Sequence, residues 1–159
     1  SYLSEVGTSC EYDLKVEEEG NVTQQMKIQY AVTGREGGSL IEITTMIYQA
    51  GGEERKTIVK RWINPEGECL KAEATIDGNV SPEDCKKTGI RGIDFRKFFS
   101  YNWEHMGQEE ITVGRGTFLC HKLQADTPNG VLTLWITDGL PPIRIALQKG
   151  TLVVTMELV

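Results

Sequence analysis

Strict alternation of apolar and polar residues over most of the chain limits the fold more than any other feature. Cys10, Tyr12, Leu14 and Val16 alternate with Glu11, Asp13, Lys15 and Glu17, and Met26, Ile28, Tyr30 and Val32 stand against Lys27 and Gln29. A period of two puts successive side chains on opposite faces, the mark of a strand buried on one side. Glu19-Gly20-Asn21 joins these two segments as a hairpin. Ile41, Ile43 and Ile47 share a face of a third strand, which Ala50-Gly51-Gly52 closes. Lys56 to Trp62 makes a fourth strand, and Asn64-Pro65-Glu66-Gly67 turns it into a fifth with Leu70, Ala72, Ala74 and Ile76 facing inward. Asn129-Gly130 marks a hairpin between Thr117–Asp126 and Val131–Thr137, and two more strands follow. The connections are short enough to require antiparallel neighbours. The expected fold class is mainly β: a strongly curved antiparallel sheet or unclosed β-barrel of about ten strands in one domain, 1–159.

One stretch has another period. Phe95, Phe98, Phe99, Trp103 and Met106 follow i, i+3, i+4, i+8 and i+11, which predicts an amphipathic helix over 94–106. Asp94 suits its N-cap, Ile93 and Phe98 the ends of a hydrophobic staple, and Gly107 the left-handed residue after its last turn. An aromatic-faced helix among strands is expected to plug the curved sheet.

Charge and cysteines narrow the function. The formal net charge of −6, with no basic cluster, argues against a nucleic-acid partner. The run from Arg55 to Arg61 reads as a strand with one charged face. No apolar segment approaches the ~20 residues that span a bilayer. Four cysteines without a Cys-x-x-Cys pair point to two disulfides in an exported domain rather than to zinc. Cys69 and Cys85 are the preferred pair because the loop between them is short. Cys10 and Cys120 are then either bonded or buried as thiols, and the other connectivities stay open. Asn21-Val22-Thr23 is a glycosylation sequon on a turn, meaningful only in a compartment that glycosylates.

The C-terminal strands carry a recognisable arrangement: Cys120-His121-Lys122, a hairpin, Leu134-Trp135-Ile136, the break Gly139-Leu140-Pro141-Pro142, then Ile143-Arg144-Ile145. Over residues 110 to 159 this resembles LolA-like proteins, the bacterial lipoprotein carriers and their outer-membrane lipoprotein-sorting relatives. The resemblance implies an unclosed β-barrel whose apolar space between sheet and helix receives a lipid or lipoprotein acyl chain. It also implies an extracytoplasmic location, periplasmic or at the cell surface, with membrane proximity supplied by an N-terminal segment this chain lacks. The apolar ligand would contact Phe95, Phe98, Phe99, Trp103, Met106 and Trp135. The alternative is a structural or interaction ectodomain of the same fold with a sealed core and no ligand.

Catalysis is not expected. Ser100 stands in no Gly-x-Ser-x-Gly elbow, and no nucleophile, base and orienting group converge. His121 reads as a hydrogen-bonded core or boundary residue and His105 as a cation at a helix end. No second ligand stands at a metal-binding spacing from His121 and Cys120, so neither cofactor nor metal is expected.

Overall fold

The computed structural model describes residues 5–87 and 89–159. Among the described residues eleven strands are present: β1 Ser9–Glu18, β2 Asn21–Glu36, β3 Ser39–Ala50, β4 Glu53–Ile63, β5 Cys69–Ile76, β6 Asn79–Glu83, β7 Glu104–Val113, β8 Gly116–Thr127, β9 Gly130–Ile136, β10 Arg144–Lys149 and β11 Leu152–Leu158. They are hydrogen-bonded in the order β6-β5-β4-β3-β2-β1-β11-β10-β9-β8-β7, which does not close on itself. The predicted antiparallel pattern is therefore present, with one strand more than expected. Cα proximity divides the chain into two compact units, residues 1–11 with 26–90 and residues 12–25 with 91–159. Among the described residues no helix is long and apolar enough to cross a membrane.

In the first unit, registers across β2 to β6 line up three rows of side chains on one face. The first is Val32, Glu42, Arg61, Ala72 and Glu83; the second Tyr30, Thr44, Val59, Ala74 and Ser81; the third Ile28, Met46, Thr57, Ile76 and Asn79. β3 is buried on both faces near its start. Its isoleucines Ile41, Ile43 and Ile47 lie on the opposite face, and Glu42, Thr44 and Met46 share the face of the buried Ile28, Tyr30 and Val32. A β-bulge between Val32 and Gly34 accompanies this register. In β5, Ala72 and Ala74 are buried as predicted, but Leu70 and Ile76 at the strand ends are exposed.

The second unit buries Tyr12, Leu14, Val16, Val154, Met156, Leu158, Ile145, Leu147, Leu132 and Leu134 on one face. Tyr12 donates its hydroxyl to the Pro142 carbonyl at 2.7 Å, which satisfies a polar group in this apolar setting. The Asn129-Gly130 hairpin forms as predicted. Gly130, at φ +128°, leaves no room for a side chain: a Cβ there would stand 2.4 Å from the Gln148 carbonyl oxygen.

The predicted plug helix over 94–106 is not formed. A six-residue 3₁₀ helix, Phe95–Ser100, takes its place, and the chain is extended at Tyr101 (φ −90°, ψ 151°) before entering β7. The N-cap survives, with the Asp94 carboxylate accepting from the Arg96 amide at 3.0 Å. The physical reason is competition. Phe98, Phe99, Tyr101 and Trp103 are mediocre helix formers, whereas residues 104 onward gain a full ladder against β8. Gly107 sits inside β7 at φ +99°, in an irregularity of that ladder, and caps no helix.

One disulfide forms, Cys69–Cys85, with Cα atoms 5.7 Å apart. It ties the start of β5 to the short 3₁₀ turn Cys85–Lys87. The second expected disulfide is absent, because Cys120 is fully buried within its own unit with its Sγ donating to the Phe118 carbonyl at 3.6 Å. Cys10 is half-buried and also remains a thiol. Alkylation of denatured protein is therefore expected to add two groups per chain without reductant and four with it, read by intact mass. Two intact disulfides would add none.

Candidate functional site

The first unit contains a solvent-open cavity of about 160 Å³. Its floor is formed by the central residues of two cross-strand rows, Thr44, Val59 and Ala74 beside Met46, Thr57 and Ile76. These floor residues are mostly small, and three strands that meet over Thr, Val and Ala leave space that Leu or Phe would fill. The wall is Glu83, Lys87, Gly89 and Ile90, the segment that follows β6 and carries Cys85. Asp84 braces its turn by accepting from the Lys86 amide at 2.9 Å. The segment is thus held beside the sheet by a covalent bond at Cys85 and by the burial of Ile90.

One row away lies a buried polar cluster. Glu42 and Arg61, 4 % and 5 % exposed, pair at 2.8 Å between Oε1 and Nε, and the Tyr30 hydroxyl donates to Glu42 Oε2. Neighbouring strands place these side chains directly opposite one another, and Ala72 follows Arg61 in the row. Arg61 is the last residue of the basic run read as a charged outer face, and it is the one basic residue of that run that is buried.

The residues proposed from sequence to hold an apolar ligand are dispersed. Phe95 and Phe98 are buried in the second unit, with ring centroids 5.4 Å apart, and Phe95 also lies 5.9 Å from the Tyr12 ring. Trp103 packs edge-on to Phe98 and donates its indole N–H to the Phe98 carbonyl at 2.7 Å. Tyr101 lies edge-on to Trp103, and burial, then the nearby Asp94 carboxylate, pushes its hydroxyl pKa up. Phe99 and Met106 are exposed, Phe99 at 76 %. A Phe99→Asp substitution is therefore expected to change stability by no more than about 0.5 kcal/mol in a urea titration, as for other surface changes. Phe98→Ala, by contrast, would cost roughly 3–5 kcal/mol.

Trp135 belongs to the opposite face from Leu134. Lys122 lies 5.5 Å from its centroid on one side and Arg144 5.4 Å on the other. Its indole N–H donates to Glu109 at 3.0 Å, and that hydrogen bond is the main cause that holds the Glu109 carboxyl below the usual carboxylate range. Arg144 in turn donates from Nε and Nη2 to Glu157 at 3.1 and 2.8 Å. Burial raises the pKa of the Cys120 thiol, which makes it a poor nucleophile. Among the described residues no group of three or more His, Cys, Asp or Glu side chains is arranged to hold a metal ion.

Sequence reasoning placed the apolar ligand beside the 94–106 stretch and did not anticipate this cavity. The available signal was the small residue Ala74 opposite Val59, with Thr44 on the other side of Val59.

No family model matches the chain, and no curated protein sequence matches it significantly. Among solved structures it is similar to a DUF1329 family protein from Desulfovibrio piger, with 10% identity and a TM-score of 0.47 over 99% of this chain and 85% of that one. It is also similar to a candidate lipoprotein from Parabacteroides distasonis, with 14% identity and a TM-score of 0.36 over 94% and 93% of the two chains. Similarity at this level assigns no function.

Proposed function

We propose that the chain is a non-catalytic binding domain of the extracytoplasmic, LolA-like kind, and that the first unit takes up the end of an acyl chain or a similarly slender apolar group. The observation that carries this reading is the open cavity of about 160 Å³ over Thr44, Met46, Val59, Ala74 and Ile76. A cavity of roughly 150 Å³ holds a molecule the size of benzene, so this one suits a chain terminus rather than a whole lipid. The Cys69–Cys85 disulfide supports an exported location, periplasmic or at the cell surface, since such bonds persist mainly in oxidising compartments. Lys87 at the wall would meet an anionic headgroup that stays in solvent. The other reading, a sealed structural ectodomain, fits the second unit better, because Tyr12, Phe95 and Phe98 pack there ring against ring.

Native mass spectrometry and titration with a fluorescent fatty acid test the proposal. Wild type should bind one molecule, and Ala74→Met, which fills the floor, should bind none while melting within a few degrees of wild type. A wild type that carries no lipid and takes up none would refute it, as would undiminished uptake by the filled variant.

A further inference from the structure

His105 and His121, 16 residues apart in sequence, meet on one face of the β7–β8 hairpin. His105 is paired with Leu123, and His121 with Gln108, so the two histidines are diagonal neighbours. Three steps along β7 match two along β8, and the extra residue is accommodated at Met106-Gly107, where Gly107 adopts φ +99°. Leu123 and His121 are two residues apart on β8 and share a face, so the pairing of His105 with Leu123 puts both histidines on that face. His105 Nε2 and His121 Nδ1 are 3.1 Å apart, the ring centroids are 5.3 Å apart, and both residues are exposed.

We propose that this pair is a binding site for a divalent first-row transition cation such as Cu²⁺, Ni²⁺ or Zn²⁺. Metal–imidazole bonds of about 2.0–2.1 Å, meeting at the angles of square-planar or tetrahedral sites, put two ligating nitrogens roughly 2.9–3.4 Å apart. The observed separation falls inside that range. The rings already approach edge to edge, so the cation displaces the proton shared between them after small rotations of each ring. Neutral imidazole prefers these borderline cations to Mg²⁺ or Ca²⁺. Glu110 shares the face, diagonal to His121 on β7, and adds a favourable negative field. Cys120 contributes nothing, because its side chain is buried on the other face beside Phe118. Two protein ligands leave the remaining coordination positions to water or to a donor from a partner.

Isothermal titration of the whole chain, stripped with chelator and titrated with CuCl₂, NiCl₂ or ZnCl₂, tests this site. One cation per chain is expected, bound most tightly for Cu²⁺. His105→Gln and His121→Gln should each weaken binding by about tenfold or more, because each removes the intramolecular second contact of the chelate. Both side chains are exposed, so the variants should melt like wild type. Electron paramagnetic resonance of the Cu²⁺ form should show two coupled imidazole nitrogens, and one or none in the variants. Wild-type affinity in both variants would place the cation elsewhere, at the terminal amine or Cys10, and overturn the proposal. So would the absence of binding at millimolar metal.

Discussion

Glu42→Ala is expected to destabilise the first unit by about 3–5 kcal/mol, seen as a large drop in the urea midpoint and a fall in Tm on the order of 10 °C. The carboxylate accepts from the Tyr30 hydroxyl and pairs with Arg61 Nε at 2.8 Å in a setting where both charged residues are about 5 % exposed or less. Removing it leaves a guanidinium buried without its counter-ion, and desolvation of an uncompensated charge dominates over the lost attraction. The same reasoning gives a control. Glu42→Leu with Arg61→Met removes both charges at similar volume and should recover most of the loss, because well-packed apolar side chains replace a buried ion pair at little or no net cost. A single substitution costing less than about 1 kcal/mol would mean that water reaches the pair.

The second large effect concerns the disulfide. Replacing Cys69 and Cys85 by serine should lower stability by roughly 3 kcal/mol, since the bond closes a loop with a sequence separation of 16 and restricts the unfolded chain. Function should fall further than stability alone explains. The bond anchors the turn that leads to Lys87, Gly89 and Ile90, and these form the cavity wall. Fatty-acid uptake by the double serine variant, measured where it is still folded, is expected to be lost or greatly weakened. Equal urea midpoints with and without reductant would show that the bond does not constrain the chain. Undiminished uptake would show that the wall segment holds its place by packing of Ile90 alone.

Much of the architecture was legible in the residues. Tyr12, Leu14 and Val16 are buried as their alternation requires, the Thr127–Gly130 hairpin turns at Pro128-Asn129, and Cys69 and Cys85 lie close enough in sequence to meet. Each of these depends on local geometry, which a short stretch specifies. The aromatic stretch from Phe95 to Met106 was misread because a 3.6-residue period over twelve residues fixes only a preference. Glu104 and His105 pair with Gln124 and Leu123 of β8 in place of a helix. The ligand-lining set failed for the same reason, since Phe99 and Met106 shared a face only if that helix existed.

By itself the sequence determined an antiparallel β chain of short turns and a cysteine pair joined across a β hairpin. The tertiary structure alone decided that Glu42 and Thr44 share the face of Ile28, Tyr30 and Val32, while Ile41 is buried on the other face. Alternation defines two faces but cannot say which will be buried, because that depends on the strands and connections that pack against it. For the same reason the cavity over Ala74 and the contact between His105 and His121 arise from register between strands. Register is set by bulges and long-range pairing, and no single stretch of the chain encodes it.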